Sequence, residues 1–169
     1  MSSLKSVFLP KWNDNDNPYQ NQLADHLAKL GVQVEGTHST LFLPIALKPQ
    51  KANILHLHWL HLLIVAYGRT SALKSRLRLV ALITQLVILR LMGVKIVWTV
   101  HNLKNHENQY LKLDRICTAL VIKLSHAIIA HCEAAKCELA AAFHLKNDKK
   151  IFVVPHSNYI DCYENKQTR

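Results

Sequence analysis

The chain has 169 residues, half of them apolar, enough to bury the core of one domain. With only 4 Gly and 5 Pro and no low-complexity tract, the composition excludes a chain disordered beyond its ends. The net charge of +10 is unevenly placed: residues 1–50 carry four Lys and four Asp/Glu, which cancel, whereas no acidic residue occurs from Gly36 to His106. Lys51, Arg69, Lys74, Arg76, Arg78, Arg90, Lys95 and Lys104 fall in that window. A one-signed block favours anionic partners such as phosphates, nucleic acid or an acidic membrane surface; a solvated basic face without a specific partner fits as well. The cysteines Cys117, Cys132, Cys137 and Cys162 lack metal-type C-x-x-C spacing, and nothing before them reads as a signal peptide. Reduced thiols in a cytoplasmic protein are expected.

In chain order, Lys5–Leu9 reads as a first strand. Asn17-Pro18-Tyr19-Gln20 then opens a helix, with Asn at the cap and Pro at the first helical position. That helix is expected to turn Leu23, Leu27 and Leu30 inward and to stop at Gly31. Val32–Val34 and Leu41–Leu43 are short strand candidates, the second at an edge, and Asn53–Leu57 is a buried strand. A helical segment starts near Leu60, followed by a long apolar helix from Leu73 to Met92 that ends at Gly93. Its uncharged centre, Leu79–Leu89, is too short to cross a bilayer, which takes about 20 apolar residues. On a helical wheel Lys74, Arg78, Ala81 and Gln85 form one narrow polar stripe. A helix buried against a sheet fits this pattern, and so does an interfacial helix with Lys74, Arg76 and Arg78 facing membrane headgroups.

Val94–Val100 is the clearest strand, with β-branched residues throughout. A helix from Asn105 or His106 towards Leu124, a strand Ala127–His131, an alanine-rich helix Glu133–Phe143 and a last strand Ile151–Val154 complete the pattern. Strands alternating with helices of this length imply an α/β fold: a Rossmann-like parallel sheet of about six strands with helices on both faces. Residues 1–160 form that domain, and 161–169 form a polar tail.

Four strands run into a histidine: His56 and His58, His101, His131 and His156. In an open parallel sheet ligands bind at the carboxyl ends of the strands, so these residues are expected to gather along one rim. The glycine-rich dinucleotide fingerprint and the Walker A sequence are both missing, so the fold does not imply NAD or ATP. His56, His58 and His61 have no carboxylate or cysteine beside them, which favours hydrogen-bonded histidines over a metal set, and no metal is expected. His101, with Asn102, His106 and Glu107, mixes a base, an amide and a carboxylate at a strand end, as acid–base chemistry requires; helix capping by the same residues is the plainer alternative. Trp12, Asn17 and Tyr19 make a polar-aromatic loop suited to a sugar ring, or simply an Asn-rich turn. His156, Asn158 and Tyr159 follow the last strand in a polar cluster.

The runs Trp12…Asn17-Pro18-Tyr19, Leu55-His56-Leu57-His58-Trp59, Lys95–Leu103 with His106-Glu107, and Val153–Tyr159 together resemble the amino-terminal half of GT-B glycosyltransferases. The likeness is to retaining, bacterial-type, family-one/four-like enzymes. It implies that this domain holds the acceptor while a second domain binds a nucleotide-sugar donor, without a bound metal. It implies a catalytic role for His101 and a cleft lined by Trp12, Asn17, Tyr19, His58, Trp59, Asn102, His106, Glu107, His156, Asn158 and Tyr159. On that reading residues 161–169 begin an interdomain linker and the donor half is absent. The expected function is then the acceptor-binding half of a sugar transferase acting on a lipid-linked or polysaccharide acceptor, incomplete as a single chain. It would need a donor-domain polypeptide, or else be an inactive remnant. The expected location is cytoplasmic, peripheral on the inner face of the membrane. The alternative from another class is a non-catalytic membrane-surface or glycan-binding module. Nucleic acid is disfavoured, because the basic residues are interleaved with leucine instead of aromatics.

Overall fold

The computed structural model describes residues 4–11, 17–47, 51–102 and 110–159. Six strands, β1 (Leu4–Leu9), β2 (Val32–Gly36), β3 (Ile54–Leu57), β4 (Lys95–Thr99), β5 (Ala127–Ala130) and β6 (Ile151–Val153), form one sheet. Every neighbouring pair is parallel, in the order β2-β1-β3-β4-β5-β6. The flanking helices are α1 (Tyr19–Lys29), α2 (Leu43–Leu47), α3 (Leu60–Ile64), α4 (Ser71–Leu91), α5 (Leu111–Leu124) and α6 (Glu133–Ala142). This is the expected Rossmann-like α/β architecture.

The central strands read as apolar runs because both of their faces are covered. Val7, Phe8, Leu9, Leu55, Leu57, Ile96, Trp98, Ile128 and Ala130 are all buried. The strand order reverses between β1 and β3, since β2 lies to one side of β1 and every later strand to the other. Such a switch point opens a crevice at the carboxyl ends of the two strands. α1 begins there, with Gln20 reaching back to donate to the Pro10 carbonyl (2.8 Å). Its cap differs by one position from the expectation. Asn17 Oδ1 accepts the Tyr19 N–H at 3.2 Å, but Pro18 is the residue flanking the helix. Gly31 and Gly93, with φ of 79° and 87°, stop α1 and α4 in a conformation other residues resist.

Two local expectations are corrected. Leu30 is exposed, because α1 ends at Lys29 and the turn carries it outward. Leu41–Leu43 is not an edge strand: the chain enters α2 there, and Phe42 is buried. The start expected for a helix at Asn105 or His106 lies outside the described residues; α5 is described from Leu111 to Leu124.

The reason for the second correction is Gln85 on α4. Its Oε1 accepts the N–H groups of Phe42 (2.9 Å) and Leu43 (3.0 Å), and its Nε2 donates to the Thr40 carbonyl (2.8 Å). Arg78 donates to the Val65 carbonyl. Gln85 and Arg78 of the polar stripe therefore face inward and hold loops, while Lys74 and several apolar residues of α4 are exposed. Gln85→Leu keeps the volume but strands these backbone groups, two of them buried or half-buried. It should lower stability by about 2 kcal/mol, read as a drop in the urea midpoint at unchanged m-value.

Candidate active site at the carboxyl rim of the sheet

Backbone bonds at the strand ends place the rim before any side chain acts. His58 N–H donates to the Leu9 carbonyl (2.8 Å), Val100 N–H to Ile129 (2.8 Å), and Val154 N–H to Ala130 (2.9 Å). The strand-end histidines follow directly and converge. His56 and His58, on the same side of β3, stack at 4.3 Å between ring centroids. His58 Nδ1 lies 3.2 Å from His101 Nε2, a hydrogen bond between imidazoles. His101 stacks against Trp59 at 4.4 Å and meets the edge of Tyr19 at 4.8 Å. His131 lies 5.5 Å from His101 and 4.8 Å from His156, and Tyr159 closes the row by donating its hydroxyl to His156 Nε2 (3.1 Å).

A second chain of hydrogen bonds runs beneath this row. His56 Nε2 lies 2.8 Å from Thr99 Oγ1, and the Tyr19 hydroxyl shares a hydrogen bond with the same threonine. Thr99 is fully buried, and it joins the base of β3 to the mouth of α1. His131 donates from Nδ1 to the Val154 carbonyl (3.0 Å), which leaves its Nε2 as an acceptor. Two buried nitrogens, His58 Nε2 and His131 Nε2, have no partner among the described residues. A buried polar atom without a partner is uncommon and marks a place where a ligand or water can bind.

Burial holds the rings of His56, His58 and His101 neutral at ordinary pH. Burial holds His58 well below the ordinary histidine value, and His56, His101 and His131 push it lower still. Burial brings His56 down to about 4. His101 falls to about 3, first through burial and then through His131, His56 and His156. Burial also raises the Tyr19 phenol, against the lowering effect of its Thr99 bond. A neutral imidazole keeps one N–H to donate and one lone pair to accept. Beside the row, His58, Trp59, His101, Asn102, Asp114 and Thr118 line a cavity of about 20 Å³, room for one water-sized group.

Of the residues expected at the site, Tyr19, His58, Trp59, His101 and His156 come together, with Tyr159 at the end of the row. Asn102 is exposed at the mouth of the small cavity. Asn17 accepts the Tyr19 N–H just before α1, and the Asn158 carbonyl accepts from Gln22 (3.4 Å), so both tie α1 to its surroundings. Trp12, His106 and Glu107 lie outside the described residues. Lys74 and Arg76 are exposed, whereas Arg78 is turned onto Val65. Sequence reasoning missed Thr99, Asp114 and Thr118, and gave His131 less weight than its central place warrants. The one available signal for His131 was the shared strand-to-histidine pattern. Among the described residues no three His, Cys, Asp or Glu side chains converge as a metal set.

The fold and the rim thus define an α/β protein with a histidine-lined site at a topological switch point. No known family's sequence pattern matches the chain, and no curated protein does. A crystal structure of TesA is similar to it with a TM-score of 0.48 and 14% identity, over 73% of this chain and 76% of that one. So distant a likeness carries no argument about activity.

The expected kinship with GT-B glycosyltransferases is corrected: no family of that kind, and no curated protein of that kind, matches the chain. The sugar-transferase function, its membrane- or glycan-binding alternative and the polysaccharide-biosynthesis role fall with it. The geometry gives a physical reason. Rings expected to line an open cleft pack against one another: His101 stacks on Trp59 and meets the edge of Tyr19. Among the described residues no helix is long and apolar enough to cross a membrane.

The neutral rings make stability depend on pH with a definite sign. Unfolded, His56 and His101 bind protons near the ordinary histidine value of 6.5; folded, they resist until about 4 and about 3. The unfolded state therefore holds more protons in between, so stability is full above about pH 6.5 and is lost on acidification through that window. The slope should be roughly 1 kcal/mol per pH unit for each histidine. Urea midpoints at pH values from about 7.5 to about 4 read this directly. A midpoint unchanged down to pH 5 would show that the rings are not held neutral.

Proposed function

We propose that the rim binds a small molecule through one of its oxygens and transfers a proton to or from it, with His101 as the catalytic group. The observation that supports this reading is the His58–His101 hydrogen bond next to the unpartnered, buried His58 Nε2. A proton-transfer residue needs a partner that fixes its ring and its tautomer, and His58 supplies one without adding charge. The water-sized cavity suits a hydroxyl or carbonyl oxygen of the ligand, while Trp59 offers the remainder an aromatic surface. Tyr19, Thr99 and His56 form a chain along which hydrogen bonds can reorganise as the proton moves. Because His101 stays neutral at ordinary pH, it acts as hydrogen-bond donor or base, not as a standing cation.

A generic ester, p-nitrophenyl acetate, reports whether an imidazole here is competent as a base or nucleophile. The chain should hydrolyse it at a rate that His101→Gln lowers by about tenfold or more. His126→Gln should leave the rate unchanged, since His126 sits at the amino end of β5, accepting the Ile96 N–H. The rate should stay flat from about pH 5 to pH 8, in contrast to a free histidine, whose base fraction falls below about 6.5. No hydrolysis by the wild-type chain, or an equal rate in His101→Gln, would sink the reading.

A further inference from the structure

The outer face of α4 is the largest feature that neither the core nor the rim uses. Leu73, Leu77, Val80, Val87 and Leu91 are exposed at 59%, 59%, 63%, 37% and 82%. With Thr84 they recur at alternating steps of four and three residues, the spacing of a seam that packs against another helix. The stripe runs about 27 Å along the helix. Leu111 and Ile116 of α5, both half exposed, extend it across the groove between α4 and α5.

Charge decides what can lie on this seam. α4 carries Lys74, Arg76, Arg78 and Arg90 and no acidic residue, and Lys112 stands on the far side of the groove. Among the described residues no carboxylate pairs with Lys74, Arg76 or Lys112. A second copy laid antiparallel would set Lys74 against Arg90 of the other helix, and a parallel one would set Arg76 against Arg76. Like charges oppose either arrangement. A headgroup surface would require the basic residues on the polar flank, yet Arg78 is turned inward to the Val65 carbonyl.

We propose that the outer face of α4, with the α4–α5 groove, docks an amphipathic helix of a partner protein. That helix would be apolar at the seam positions and acidic at the flanks.

The probe is a synthetic helix about three heptads long, with leucine at the seam and glutamate at the flanks, set against the full chain. It should bind, and the double variant Leu77→Gln with Val87→Gln should weaken binding by about tenfold. Both residues are exposed, so the variant should keep its circular dichroism and urea midpoint; Arg76→Glu, which leaves the seam intact, gives a second reading of the loss. Raising salt from about 0.05 M to about 0.5 M should weaken binding several-fold.

Equal affinity for a version with lysine flanks would overturn the proposal. So would binding to phosphatidylserine vesicles in place of the peptide, or a dimer in sedimentation that the double variant abolishes.

Discussion

Every strand of the sheet runs in the same direction, so every crossover must return the chain to the same edge before the next strand begins. The carboxyl ends consequently share one rim, and His58 and His101, separated by 43 positions in sequence, become hydrogen-bonded neighbours. The backbone enforces this meeting first, through bonds such as His58 N–H to the Leu9 carbonyl that continue the parallel pattern past the strand ends. The reversal of order between β1 and β3 then opens the crevice into which the start of α1 drops Tyr19. The site is therefore a consequence of strand direction and order, with side-chain chemistry added at the last step.

That chemistry is constrained by burial without counter-charge. Desolvation is the leading cause of depression at His56, His58 and His101, and at His58 and His101 neighbouring rings add to it, because a second positive charge close by repels the first. The row is stable only as a set of uncharged donors and acceptors. Some of its capacity is left unused, at His58 Nε2 and His131 Nε2, where an apolar residue would fill the same space without a desolvated polar atom. A fold selected for stability alone has no reason to keep such atoms. His58 also lines the water-sized cavity, which separates it from an ordinary core histidine.

The strands were legible in the sequence because short β-branched runs bounded by turn residues have few other conformations open to them. Leu41–Leu43 was misread because the deciding partner, Gln85, lies 42 or more positions away and acts through its side-chain amide. Gln85 and Arg78 looked like an outward polar stripe for the same reason: a wheel records polarity, whereas long-range bonds to Phe42, Thr40 and Val65 decide direction. The glycosyltransferase resemblance failed in a different way. It was carried by polar and aromatic residues at strand ends, and any parallel sheet places such residues there because that is where its crevice opens. Motifs of that kind report the sheet and leave the reaction open. The histidine pattern was the better guide, since it asked only where the side chains meet.

α4 shows how one element can satisfy the interior and still leave a surface unresolved. Leu79, Leu82, Leu86 and Leu89 cover the sheet, and Gln85 and Arg78 satisfy loops that would otherwise have bare backbone groups. With Gln85 and Arg78 turned inward, the seam on the outer side of the helix is mainly leucine and valine, flanked by Lys74, Arg76 and Arg90. Exposed apolar residues are ordinary when scattered, but a straight line of them at heptad spacing is not what chance exposure produces. α5 bridges the two regions: Leu111 and Ile116 extend the apolar face, while Asp114 and Thr118 line the cavity beside His101. The residues that depart from simple burial rules on this chain thus fall into two groups, buried imidazoles at the rim and exposed aliphatics on α4. The proposed ligand would complete the first group, and the proposed partner helix would cover the second.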